Sequence, residues 1–278
     1  MTLPETPSQK LRRHPGFLRE AVVLVTTALA FWLSLAYLAL PALWKRLERQ
    51  NLVAGLAMQT MTKQGLPGDP INFGLVGARE EVLCAFRSAG WNLADSVTLR
   101  SSLKIAGSVA FRRPDPQAPV SPLFYQGRIE DVAFQKAEGF SAARRHHIRL
   151  WRVESVEVGA RPLWLASASF DRSVGFSHYT LQVTHHIDAD LDAERGFVGA
   201  ALAQAGALRD FVQFAGIGPT LRGKNGGGDR YFTDGEVLVG VLRENCDLRP
   251  DEKATPPNNP PHVDLRSAIV HALGVKAQ

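Results

Sequence analysis

The stretch FDRSVGFSHYTLQVTHHIDADLDAERG, residues 170–196, holds the chain's densest mixture of histidines and carboxylates. Imidazole and carboxylate together are the ligand chemistry of zinc, manganese and iron, and they are also the groups that exchange protons near neutral pH. Strand alternation places His186 and Asp188 on one face, about 6.6 Å apart along the chain, a span that two side chains can close around one ion. His147, from a neighbouring strand, together with Asp171 or Asp190 would complete a site for a divalent metal ion. On one straight strand His178 and His186 would stand about 26 Å apart, too far to share that ion. His146 and His185 alternate with Ile, Leu and Val, which assigns them to packing, where a buried imidazole needs only a hydrogen-bond partner.

A second candidate is the run NGGGD, formed by Asn225, Gly226, Gly227, Gly228 and Asp229. Glycines let backbone amides approach an anion closely. The run lacks the Gly-x-x-x-x-Gly-Lys-Ser/Thr pattern of a nucleotide loop, and it also reads as a turn before the last strand. Arg144 and Arg145 form a basic edge ahead of His146 that suits either solvent or an anionic headgroup. No Gly-x-Ser-x-Gly elbow occurs, so a serine hydrolase has no support.

The elements that must position these residues follow from periodicity. Residues 71–76 suit a strand and 78–89 an amphipathic helix with Val82, Leu83, Phe86 and Ala89 on one face; a second helix is expected over 99–111. Short strands over 123–126 and 131–135 join around Gly127. Residues 145–153 place His146, Ile148 and Leu150 on one face and His147, Arg149 and Trp151 on the other; residues 163–170 alternate likewise across a turn at Gly159. Residues 179–187 form a third strand, with Leu181, Val183, His185 and Ile187 inward. Asp190 caps a helix over 191–205 that Gly206 stops, and strands over 207–214 and 236–242 flank a polar loop over 216–235. A weak terminal helix is expected over 264–273. Consecutive alternating strands without helices between them point to an α+β fold, a mainly antiparallel sheet packed by helices.

One transmembrane helix precedes that domain. Residues 21–44 run without a charge, longer than the roughly 20 residues that cross a bilayer core, with Trp44 at the far end and Lys45, Arg46 and Arg49 beyond it. The run is too long for a signal-peptide core and no small-x-small cleavage pattern ends it, although Arg12 and Arg13 precede it. The division is therefore a tail over 1–20, the span over 21–44, a connector over 45–68, the α+β domain over 69–245 and a Pro-rich tail over 246–278. Lys10, Arg12, Arg13 and Arg19 slightly outnumber the basic residues after the span, which puts the N-terminus inside and the domain on the other side of the membrane. The formal net charge is +5, but the basic residues are scattered rather than gathered to track a phosphate backbone, which argues against nucleic acid. Cys84 and Cys246, with no C-x-x-C pair, argue against a zinc-thiolate site or a disulfide framework.

Several stretches, among them DPINFGLVGAREEV at 69–82, LRSSLKIA at 99–106, RRPDPQAPVSPLFYQGRIEDVAFQK at 112–136, RRHHIRLW at 144–151 and GKNGGGDRYFTDG at 223–235, resemble the LssY C-terminal domain family in the expected order. The resemblance implies a bacterial envelope protein connected with secretion, which with the charge bias puts the domain on the periplasmic side of a bacterial inner membrane, and it names no reaction. Long relatives carry a multi-span module where this chain has one short anchor, so their membrane-phosphatase chemistry does not carry over. Three functions fit: a membrane-anchored module that binds an envelope protein or lipid partner in secretion or envelope maintenance, a metal-dependent hydrolase acting on a phosphoester, and a purely structural domain.

Overall fold

The computed structural model describes residues 15–48, 52–53, 55–94, 122–139, 143–179, 181, 183–215, 221–255, 259 and 261–272, in two compact units, 1–50 and 51–278. The helix expected over 99–111 lies outside the described residues. In the first unit, helix α1 (Pro15–Ser34) runs through one π-helical stretch (Leu35–Ala39) into α2 (Leu40–Glu48). Pro41 offers no N–H to the carbonyl four residues back, and this explains the local widening. Residues Gly16–Leu47 are long and apolar enough to cross a membrane, and none of their most apolar window is buried, unlike a core helix.

The second unit is α+β and mainly antiparallel. Its strands are β1 (Gln59–Met61), β2 (Pro67–Pro70), β3 (Phe73–Val76), β4 (Asn92–Leu93), β5 (Phe124–Tyr125), β6 (Arg128–Ile129), β7 (Val132–Ala137), β8 (Arg145–Val158), β9 (Arg161–Phe176), β10 (Val183–Ile187), β11 (Leu208–Ala215), β12 (Arg222–Lys224), β13 (Arg230–Phe232) and β14 (Glu236–Leu242). Helices α3 (Arg79–Ser88), α4 (Leu191–Gln204) and α5 (Pro261–Ala272) complete it. The main sheet runs β11-β14-β3-β9-β8-β7-β4, with β10 also on β9, and β14 with β3 is its parallel pair. The long β8–β9 hairpin is its spine. It turns at Gly159 and Ala160, both at positive φ, as a two-residue hairpin turn requires.

Strands β3 and β10 both pair with β9, at Leu163–Ala166 and Asp171–Phe176 respectively, and leave a gap between them. Asn72 fills it: its side-chain amide donates to the carbonyls of Ala168 (2.9 Å) and Leu191 (3.2 Å), and its side-chain oxygen accepts from the Ala168 N–H (2.9 Å). One side chain thus continues the ladder and ties in the start of α4. Helix α4 begins where Asp190 accepts a hydrogen bond from the Ala193 N–H at 2.9 Å.

Both faces of the spine are buried. Even-numbered residues, Ile148 and Leu150 on β8 and Trp164, Ala166 and Ala168 on β9, form one core with α3 and α4, in which Phe86 stacks on Phe134 at 4.3 Å. Odd-numbered Trp151, Val153, Leu163 and Leu165 form a second core with Val53, Met58, Ile71, Leu123 and Tyr125. A four-stranded sheet, β2-β1-β5-β6, supplies part of that cover. Residues expected as a connector over 45–68 therefore belong to the domain from Val53 onward: alternation alone does not reveal that the second face is also covered.

The expected tail over 246–278 is tied in as well. Cys246 forms a disulfide with Cys84 of α3, Thr255 bridges Asp210, and Val263 is buried. The expectation of no disulfide is corrected, because the fold returns two thiols 162 positions apart to one spot. Leu181 and Val183, expected inward on the third strand, are 77% and 70% exposed. The strand starts only at Val183, after a break at Leu181 with φ of +57°.

Candidate functional site

Beyond Trp151 and Leu165 the odd face of the spine turns polar. The antiparallel register pairs Arg149 with Ser167, His147 with Ser169 and Arg145 with Asp171, and β7 places Gln135 beside His147. Directly opposed residues share a face, so these seven side chains lie on one side of the sheet. All seven are buried.

Asp171 is the hub. Arg145 Nε donates to Asp171 Oδ2 at 2.8 Å while Arg145 Nη1 donates to Gln135 Oε1 at 3.0 Å. His147 Nδ1 lies 3.3 Å from Asp171 Oδ1 and His185 Nδ1 lies 4.0 Å from Oδ2. Burial pushes the Asp171 carboxyl up, but His147, Arg145 and His185 together outweigh that and hold it well below the usual carboxylate range. A second carboxylate, Asp69, accepts from Ser169 Oγ at 3.0 Å, Arg149 at 3.4 Å and Asn225 Nδ2 at 3.2 Å.

Asp69, Arg145, His147, Arg149, Asp171 and His185 line a cavity of about 290 Å³, with Lys63 among its walls. Lys63, Arg145 and Arg149 outnumber Asp69 and Asp171 in formal charge, before either histidine is protonated. His147 is 2% exposed, and neither of its ring nitrogens makes a hydrogen bond of good geometry within the protein. An unsatisfied buried polar group costs about 1–3 kcal/mol, and since Nδ1 has Asp171 beside it, Nε2 is the nitrogen that needs a partner.

The five residues expected to share a metal do not gather. His147 and Asp171 meet in this cavity. His186 Nδ1 instead lies 2.8 Å from Asp229 Oδ1, and His178 Nε2 lies 4.0 Å from the same oxygen. Asp188 accepts from the Asp190 N–H at 3.0 Å, Asp190 caps α4, and both line a different pocket with His146 and Glu194. The 26 Å separation expected for His178 and His186 is corrected to 5.5 Å between ring centroids, because the chain breaks before β10. Among the described residues, His178, His186 and Asp229 are the group of three with ligand atoms all within 4.8 Å of one another.

The NGGGD run is a closed loop. Asn225 Oδ1 accepts from the amides of Gly227 and Asp229, both at 3.0 Å, the Gly228 amide donates to the Asn225 carbonyl, and the Asn225 amide donates to the Asp229 carbonyl. Four of its five amides point inward, which leaves little of the cradle that an anion would need. Its role is to aim Asp229 at β10.

Sequence reasoning weighed Arg145 only as part of a basic edge, and it missed Asp69, Arg149, Gln135 and His185 as site residues. For Arg145 and Arg149 the signal was present, as charged residues on odd positions of a strand otherwise deep in the domain. His146, expected in packing, is hydrogen-bonded to Glu194 at 2.8 Å and stacked on Phe197 at 3.8 Å.

An apolar span joined in sequence to an α+β domain with a basic, histidine-bearing cavity defines the class of protein. The family model for the LssY C-terminus matches residues 49–237, and the chain belongs to that family. No curated protein and no solved structure matches it.

Proposed function

We propose that this chain is a single-pass, membrane-anchored accessory module of the bacterial envelope that serves secretion or envelope maintenance by holding a phosphate or carboxylate group of an envelope partner in its cavity. The observation that carries this reading is the buried imidazole of His147 set between Arg145 and Arg149, with Nδ1 beside Asp171 and Nε2 without a hydrogen-bond partner. Arginine is suited to planar oxyanions, and an excess of cationic groups in a walled pocket favours anions. The Cys84–Cys246 disulfide supports a domain on the oxidising, periplasmic side, in line with the slight basic excess before the span.

The test is binding by the full chain in detergent. Inorganic phosphate and a dicarboxylate should raise the unfolding midpoint, and His147→Ala should weaken the effect about tenfold or more, the size of one lost hydrogen bond to a charged group. Equal binding by both proteins would end this reading. Metal-dependent phosphoester hydrolysis is the second reading, favoured by the cluster of His178, His186 and Asp229. Zinc-dependent release of nitrophenol from p-nitrophenyl phosphate tests it.

A further inference from the structure

The second histidine cluster takes no part in the cavity's ion pairs, and its geometry stands independently of what the cavity holds. We propose that His178, His186 and Asp229 form a binding site for a divalent transition metal ion of the zinc type. Two imidazoles and one carboxylate are the borderline donors that such ions prefer. Asp229 Oδ1 is 2.8 Å from His186 Nδ1 and 4.0 Å from His178 Nε2. Tetrahedral zinc with bonds of about 2.0–2.2 Å sets its ligands about 3.3–3.5 Å apart, between those two values. The ion enters by replacing the proton shared by His186 and Asp229, which leaves to solvent, and by drawing in His178.

The backbone is shaped for these side chains. A Cβ on Gly175 would stand 2.5 Å from His186 Nε2, so that nitrogen is packed against the strand and Nδ1 is the one offered. A Cβ on Gly228, which has φ of +90°, would stand 2.6 Å from His178 Cβ. Glycine there gives both the left-handed turn and room for the imidazole. The Ile187 N–H donates to Asp229 Oδ2 at 3.2 Å, which leaves Oδ1 to face the two rings. The His178 N–H donates to the Gly227 carbonyl at 2.9 Å, so one loop carries a carboxylate ligand and steadies an imidazole ligand. Such outer contacts fix ligand orientation.

Three protein ligands leave a fourth position, and the His178 side chain is 63% exposed, so that position is open to water or substrate. Ser177, Thr184 and Gly227, close in sequence to the ligands, line the basic cavity. An anion held there would lie beside the ion.

The experiment uses the full chain in detergent with any affinity tag removed, loaded with zinc, dialysed against metal-free buffer and assayed by elemental analysis. Wild type should retain one zinc per chain; His178→Gln and Asp229→Asn should fall to background, and His262→Ala should retain it. Cobalt in place of zinc should give visible absorption in the wild type that His178→Gln abolishes. His178 is exposed enough that His178→Gln does not threaten the fold, so this variant decides even where Asp229→Asn fails to fold. Zinc retained equally by His178→Gln and wild type, zinc lost from wild type on dialysis, or an equal loss in His262→Ala would each overturn the proposal.

Discussion

His146 and His147 are neighbours in one strand and live in different chemistries. His146 faces the helices, hydrogen-bonded to Glu194 and stacked on Phe197, beside Ile148 and Leu150 in an apolar core. His147 faces the other way, among Arg145, Arg149, Ser169 and Asp171, with Nδ1 beside the Asp171 carboxylate and Nε2 unsatisfied. A strand buried on both faces can use one face for cohesion and spend the other on ionic groups, provided that those groups compensate one another. The helix face tolerates small losses of packing; the polar face does not tolerate loss of one partner.

The largest test of that contrast is Asp171→Ala. It leaves Arg145 buried without its carboxylate, and breaking a buried pair in this way costs about 3–5 kcal/mol, to be read from denaturant unfolding of the full chain in detergent. Replacing both partners together, Arg145→Met with Asp171→Leu, should recover much of that loss, because no uncompensated charge remains.

The same carboxylate sets an acid limb. Its folded pKa is depressed, so the stability that it lends is complete above the ordinary aspartate value and is lost as pH falls below about 4. Unfolding midpoints measured between pH 7 and pH 3 should fall, with a shallower fall in Asp171→Asn. On the helix face, Ile148→Val should cost only about 0.5–1.5 kcal/mol, with no change in phosphate binding by the same midpoint assay. His178→Gln, at the exposed cluster, should shift stability by less than about 0.5 kcal/mol while removing the retained zinc. A larger stability loss would make the cluster structural and collapse the distinction between the two polar regions.

Much of the frame was legible from residue order. The α3 and α4 helices, the Asp190 cap, the β8–β9 hairpin around Gly159 and the apolar span follow from local rules, namely periodicity, capping and glycine placement. The candidate site was half legible. His147 and Asp171 were singled out and do meet, but Asp69 and His185 were not, because period-two alternation says which residues share a face and nothing about what covers it.

The sequence by itself determined the apolar helix, α3, α4 and the two faces of the spine, since each depends on contacts within a few residues. Only the tertiary structure decided that the odd face carries a second core and a basic cavity, that Cys84 meets Cys246, and that His178 and His186 converge on Asp229. Those pairings join residues 162, 8 and 43 positions apart or depend on a break in one strand. Closing such loops costs chain entropy and is repaid only by the packed whole, so no local pattern can encode them.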